Sequence, residues 1–288
     1  MRENFQLTEL CEALGVSRSG YYAARKRPLK ARARANQQLL EEMKTIHAHR
    51  HTRSYGSPRM THELRARGQT CSKNRVARLM RIHGLRARVR RPFRPKTTTP
   101  DYGVHPSPNR LAEAAAATAP GTHLVSDITY IPTAEGWLYL AVVIDLFSRS
   151  VLGWKLSESL HSELVTGAIS RALGSGIVVR GAIFHSDRGC QYSAAVTRDL
   201  LKSAGLLQSM SAKGYCYDNA FAESAFASIK ADLFADGQPF PTRRTAATAI
   251  FDYLETFYNR RRLHSSLAYR SPDDFLNHYF HSLRSSLN

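Results

Sequence analysis

Residues 183–230 read IFHSDRGCQYSAAVTRDLLKSAGLLQSMSAKGYCYDNAFAESAFASIK. The stretch continues a β-rich apolar run (Ile177, Val178, Val179, then Ala182, Ile183 and Phe184) that ends on Asp187. A carboxylate therefore stands at the C-terminal mouth of a buried strand over 177–186. The stretch closes on a helix that starts near Asp218 or Asn219, either of which is a good N-cap. That helix carries Glu223 in its first turns and Lys230 two turns on, so the two side chains share a face about 10 Å apart along the axis. Between Asp187 and Glu223 lie 35 residues. A third acid, Asp127, sits inside the apolar run HLVSDITYI, with 59 residues between it and Asp187. Acids are rarely buried in such runs without a partner, so Asp127 marks a site.

Composition sets the partner. The 288 residues contain 41 Lys and Arg against 23 Asp and Glu, a net charge of +18, and a surface that basic attracts polyanions, nucleic acid first. Hydrophobic content is 43%, ordinary for a globular chain, and no apolar run is long enough to span a bilayer. The polar start MRENFQLTEL lacks a signal-peptide core, which leads us to expect a cytoplasmic protein with no membrane partner. The four cysteines are scattered without a Cys-x-x-Cys pair, against both a disulfide framework and a zinc ribbon. His47, His49, His51 and Cys71 have the wrong spacing for zinc.

Upstream, residues 6–25 suggest two short helices broken at Gly15, the first capped by Thr8 and the second by Ser17, with Tyr21, Tyr22, Arg25 and Lys26 open to DNA or a partner. Three further helices follow, over about 37–49, 58–67 and 72–83. In the last, Val76, Leu79, Met80 and His83 form an apolar stripe, while Arg75, Arg78 and Arg81 project from the other side for a DNA groove. Residues 1–91 thus read as a helix-turn-helix-like DNA-binding module. The Pro- and Thr-rich stretch 92–121 reads as a linker, with a helical stub at 110–117, that lets the module follow DNA independently. From 122 to 235 the pattern is three β-rich runs joined by hairpin turns, then αβαβα, the order of a ribonuclease-H-like α/β fold. Residues 236–288 form a helical extension, with a helix over 242–258, the basic stretch NRRRLHSSL and a helix entered at Ser271-Pro272. Asn259, Arg260, Arg262 and His264 form a candidate phosphate-facing cluster.

The stretches VSRSGYYAARKR, SDITYI, VVIDLFSR, HSDRGCQY, SMSAKGYCYDNAFAES and YNRRRLHSSL run in order over nearly the whole chain. In these the sequence resembles the DDE transposases and retroviral-type integrases, and more narrowly the orfB-type subunit of the insertion-sequence-three family of bacterial transposases. The resemblance implies the ribonuclease-H-like integrase core and contact of Lys230 with the transposon end. It also implies a homo-multimer that brings two ends together and a frameshift fusion with an upstream helix-turn-helix segment. Ala225 and Ala227 stand where the family more usually has an aromatic pair.

Phosphodiester attack needs a nucleophile made at neutral pH and relief of charge at phosphorus, which two divalent ions supply together. Oxygen-only donors suit Mg²⁺ or Mn²⁺. Asp127, Asp187 and Glu223 are the expected catalytic residues and metal ligands, with Asp127 bridging both ions. Asp145, in VIDLFSR, is a rival acid better suited to pairing with Arg149 or to structural hydrogen bonds. Asp218 suits a helix cap. His185, Arg188, Gln191 and Tyr192 flank Asp187 without a distinct role. The reaction expected is 3′-end cleavage followed by strand transfer. A nuclease of the same fold without strand transfer, and a non-catalytic DNA-binding subunit, are the alternatives.

Overall fold

The computed structural model describes residues 6–26, 31–87, 107–211, 227–229, 231–233 and 238–286. The expected contacts of Glu223, Lys230 and Asp218 lie outside them.

The N-terminal part is helical. Helices α1 (Leu7–Ala13) and α2 (Arg18–Lys26) flank Gly15, whose φ of 62° ends α1. The cap of α1 is Gln6 rather than Thr8, because Glu9 reaches back to the Gln6 N–H at 3.0 Å and closes a capping box. Ser17 caps α2, accepting from the Gly20 N–H at 3.0 Å. Helix α3 (Ala31–Ala48) starts earlier than its apolar spacing predicts, since the alanines and arginines of ARARAN favour helix and nothing breaks them. With α4 (Ser57–Ala66) and α5 (Lys73–Ile82) it encloses a core of Leu39, Met43, Ile46, Met60, Leu64, Val76, Leu79 and Met80. Ser72 caps α5, as its sequence predicts.

After the short helix α6 (Arg110–Glu113), which stops before the stub predicted to 117, the chain builds a five-stranded sheet. Its strands are β1 (His123–Thr133), β2 (Gly136–Asp145), β3 (Val151–Ser157), β4 (Ile183–Ser186) and β5 (Leu207–Met210), in the order β3-β2-β1-β4-β5. The two hairpins make β1–β2 and β2–β3 antiparallel, whereas β4 and β5, reached through helices, run parallel to β1. Helix α7 (Ser162–Gly174) precedes β4, and α8 (Cys190–Ser193) and α9 (Ala195–Ser203) precede β5. The strand predicted over 177–186 begins only at Ile183. Gly176 and Gly181 adopt φ of 71° and 84°, and Val179 donates to the Gly121 carbonyl at 3.2 Å, so the apolar run packs as a loop against Gly121.

Alternation along β1 and β2 sends successive side chains to opposite faces. Val125, Ile131, Leu138, Leu140, Val142 and Ile144 meet Ile229, Ala246, Ile250, Tyr253 and Phe257 on one face. Leu124, Ala141 and Val143 meet α7, Phe184, Tyr192 and Leu201 on the other. The helix predicted over 242–258 is α-helical for Arg243–Asp252, capped by Thr242, and then widens into a π-helical stretch, Tyr253–Tyr258. The wider turn keeps Tyr253, Leu254, Phe257 and Tyr258 all buried on one side. The last helix, Pro272–Ser286, is entered at Ser271, whose hydroxyl accepts from the Asp274 N–H at 3.2 Å.

The N-terminal module does not hang free on its linker. Ser54 donates to Asp232 and Arg59 Nε to the Leu263 carbonyl at 2.9 Å. His51 is bonded to Asp252 at 2.8 Å, the His62 ring stacks on Tyr269 at 4.0 Å, and Tyr55 is fully buried in the core beneath the sheet. The independent movement predicted from the Pro-rich linker gives way to a docked module, because linker composition says nothing about the surfaces it joins. Residues 107–113 lie as a strap on β5, with Ser107 bonded to Gln208 at 2.9 Å and the Leu111 N–H to Ser209 at 3.2 Å.

Sheet and α7 meet at Gly153, where an added Cβ would collide with the Ala168 carbonyl and the backbone of Ala172. Gly153→Ala should destabilise the protein by about 1–3 kcal/mol through overpacking, measured as a lowered urea midpoint with an unchanged slope.

Candidate active site

The parallel pairing of β1 with β4 aligns Val125 with His185. Continued two residues beyond its last pair, that register directs Asp127 towards Asp187, which stands just past the end of β4 at Ser186. Side chains opposed across a sheet share a face. By alternation this is the face of Val125 and Val142, against which Ile229 packs. Residues 227–229 and 231–233 are helical and lie on that face.

Both acids are half-buried. Asp127 Oδ1 accepts from the Ile128 N–H at 2.8 Å, and Asp187 Oδ1 from the Gly189 N–H at 3.0 Å. Burial raises the Asp187 pKa above its ordinary value, and the Gly189 N–H only partly offsets this. Behind the two acids, burial first and then the charge of Asp127 and of Asp187 push the Tyr192 phenol well above the usual tyrosine range. Its hydroxyl lies 2.9 Å from Ser126 Oγ.

The donor set is oxygen alone. A carboxylate whose ionisation is opposed by burial, beside a second carboxylate, fits a hard divalent cation that would compensate both charges. Among the described residues no three His, Cys, Asp or Glu side chains converge on a metal site, and the third expected ligand, Glu223, is outside them.

Asp145 is fully buried and structural. Its carboxylate accepts from the Gly121 N–H at 2.9 Å, the Ser148 N–H at 2.8 Å and the Ser148 hydroxyl at 2.6 Å, fixing the turn where Arg149 takes a φ of 63°. His185 is buried with its ring nitrogens 2.9 Å from Ser209 Oγ and 3.1 Å from Ser211 Oγ. Arg188 donates to the Ser211 carbonyl at 2.7 Å and Gln191 to the Leu160 carbonyl at 2.9 Å, so these neighbours of Asp187 brace the loop.

The expected DNA-facing residues divide. Arg78 and Arg81 are exposed on α5, while Arg75 is half-buried and donates to Asn36 at 2.8 Å. Arg260 is exposed. Arg262 is only 1% exposed, and its Nε donates to Asp232 at 2.6 Å. His264 is buried against Tyr258, its pKa pushed down to about 2 by burial and then by Arg262, Arg59 and Arg149. The phosphate-facing cluster expected at 259–264 is therefore corrected: Arg262 and His264 face inward, because buried Asp232 needs a cation. Asn259 also turns in, bonded to the Val151 backbone at 2.9 Å on both its amide atoms. Sequence reasoning missed Asp232, Ser54 and the pairing of Ser126 with Tyr192, although the motifs SDITYI and HSDRGCQY contain those two residues. His47 bonds the Arg86 carbonyl at 2.9 Å and His51 bonds Asp252, so both rings are occupied by the fold. Among the described residues no helix is long and apolar enough to cross a membrane.

Comparison with known proteins gives two matches to Integrase core domain models, at residues 117–216 and 204–272, and one to an HTH-like domain, at 34–93. The chain is 41% identical over 276 residues to Transposase InsF for insertion sequence IS3A of Escherichia coli (strain K12), covering 95% of this chain and 94% of that protein. It is 38% identical over 270 residues to the insertion element IS600 uncharacterized 31 kDa protein of Shigella sonnei, covering 94% and 98%. Among solved structures, the catalytic core domain of BIV integrase matches with 16% identity and a TM-score of 0.42, covering 58% of this chain and 99% of that one. The HTLV-2 integrase catalytic core domain, solved in complex with magnesium, matches with 14% identity and a TM-score of 0.39, covering 55% and 97%.

The raised Asp187 pKa fixes a pH dependence. A carboxyl whose folded pKa lies above its unfolded value of 3.8 gives stability that is present below that value and lost as pH rises through the folded one. In metal-free solution Asp187→Asn should therefore be more stable than wild type at pH 7. The gap should close towards pH 4, and Mg²⁺ should narrow it at pH 7 by stabilising wild type alone. Urea midpoints across that range check this.

Proposed function

We propose, for a chain that belongs to the insertion-sequence-three family of transposases and carries its integrase core domain, a divalent-metal-dependent cleavage of the element's 3′ ends followed by their transfer to target DNA. The observation that carries the reading is the β1–β4 register, which supports Asp127 and Asp187 as a facing carboxylate pair. Asp127, Asp187 and Glu223 would hold Mg²⁺ or Mn²⁺, two ions in all. When bound, such ions supply charge relief at the phosphorus and an activated oxygen nucleophile at neutral pH.

The chain's own residues do the rest. The N–H groups of Ile128 and Gly189 each hold one oxygen of Asp127 and Asp187, which helps to orient the two carboxylates. Water and a 3′-OH are equivalent oxygen nucleophiles, so one site serves both cleavage and joining. Of the side chains expected to face DNA, Arg78, Arg81 and Arg260 are exposed and available to its phosphates, while Arg262 and His264 act inside the protein. Lys230 is assigned to the transposon end. A homo-multimer would bring two ends together, and the upstream-frame segment, alone or fused, would add end recognition. The net charge of +18 supports residence on the bacterial nucleoid.

The test is a joining assay with a labelled, pre-cut transposon-end duplex, a target plasmid and Mg²⁺ or Mn²⁺. Wild type should give joined products, and Asp127→Asn and Glu223→Gln should each reduce joining by roughly 10³-fold, the kinetic equivalent of several kcal/mol of lost charge stabilisation. Nicked or degraded DNA without joining would mark a nuclease instead. Duplex binding with neither cutting nor joining would mark a binding subunit.

A further inference from the structure

Tyr192 lies five residues beyond Asp187, and Ser126 immediately precedes Asp127. Both are buried, Tyr192 to 1% exposure and Ser126 to 0%, and their oxygens are 2.9 Å apart. Alternation sends Ser126 to the face of the sheet opposite Asp127, so this bond lies behind the acids, among Leu124, Phe184 and Leu201. A phenylalanine and a valine or alanine would suit that surrounding better, since each buried hydroxyl must be desolvated. Burial and the two carboxylates keep the phenol protonated, hence able to donate.

The backbone of Tyr192 is fixed as well. Its carbonyl accepts from Gln208 Nε2 at 2.8 Å, and Gln208 is in turn held by Ser107 of the strap at 2.9 Å. The preceding carbonyl, of Gln191, accepts from the Thr197 hydroxyl at 2.7 Å. These contacts answer a mechanical need. The β1–β4 pairing stops at Val125 and His185, so strand pairing no longer fixes Asp187 relative to Asp127, and two facing carboxylates repel. The Tyr192–Ser126 bond closes the loop after Asp187 back onto β1, one residue from Asp127.

We propose that Tyr192, acting through its hydrogen bond to Ser126, is a positioning residue that sets the separation of Asp127 and Asp187 and thereby the affinity of the site for divalent cations. The inference rests on the reading of those two acids as metal ligands. Outer-shell partners of this kind alter metal affinity by about 10–100-fold when removed.

The experiment is Mn²⁺ binding to the full chain without DNA, followed by electron paramagnetic resonance, together with urea unfolding of each variant. Tyr192→Phe and Ser126→Ala should each weaken Mn²⁺ binding by about 10–100-fold. The double variant should bind as weakly as either single one, although its urea midpoint recovers towards wild type because no buried hydroxyl is left unpaired. If Tyr192→Phe binds Mn²⁺ like wild type, or if the double variant recovers both stability and affinity, the proposal is overturned. Asp127→Asn separates the two failures. Weakened binding in Asp127→Asn with normal binding in Tyr192→Phe overturns the positioning role alone, whereas normal binding in Asp127→Asn overturns the carboxylate reading and the positioning role with it.

Discussion

The parallel pairing of β1 with β4 is the constraint on which the molecule depends. It joins the antiparallel hairpins to the αβ half of the sheet, and its register directs towards one another two acids with 59 residues between them. A slip of one residue would turn Asp187 to the opposite face and leave Asp127 beside Ser186 or Arg188 instead. The register is guarded on both faces, since Leu124 and Phe184 pack with α7 and α9 while Val125 packs beneath the C-terminal helices. The placement of the two acids thus follows from core packing, at the point where β4 ends.

A second constraint joins the N-terminal module to this core. Asp232 accepts from Ser54 of the module, from Tyr253 at 2.7 Å and from Arg262 at 2.6 Å, with both ions almost fully buried. Ion pairs this deep add little net stability compared with apolar packing, but loss of one partner leaves an uncompensated charge and is severe. Their effect is to specify one arrangement. The loop that follows α3, the helical residues around Ile229 and the π-helical stretch converge on one carboxylate, which links the DNA-binding module mechanically to the face that bears Asp127 and Asp187.

Much of this was legible in the sequence. Two-residue periodicity in HLVSDITYI and GWLYLAVVID, with turn residues between, gives the hairpin, and the later alternation of helix and strand gives the parallel half. Asp127 stood out because an acid in an apolar strand is costly. Less visible were features set by long-range partners. The basic stretch NRRRLHSSL reads as surface, yet Arg262 turns inward for Asp232, thirty residues away in the chain. The run 177–182 has strand composition but packs as a loop because Gly121 receives it. Ser126 and Tyr192 are unremarkable residue types, and only the meeting of β1 with α8 gives them meaning.

The central claim is that Asp127 and Asp187 share a divalent cation. Crystals grown with Mn²⁺ and measured at the manganese absorption edge test it most directly. The account predicts an anomalous peak within coordinating distance, roughly 2.0–2.2 Å, of carboxylate oxygens from both residues. A peak bound elsewhere, or none at a Mn²⁺ concentration that supports strand transfer, would contradict it.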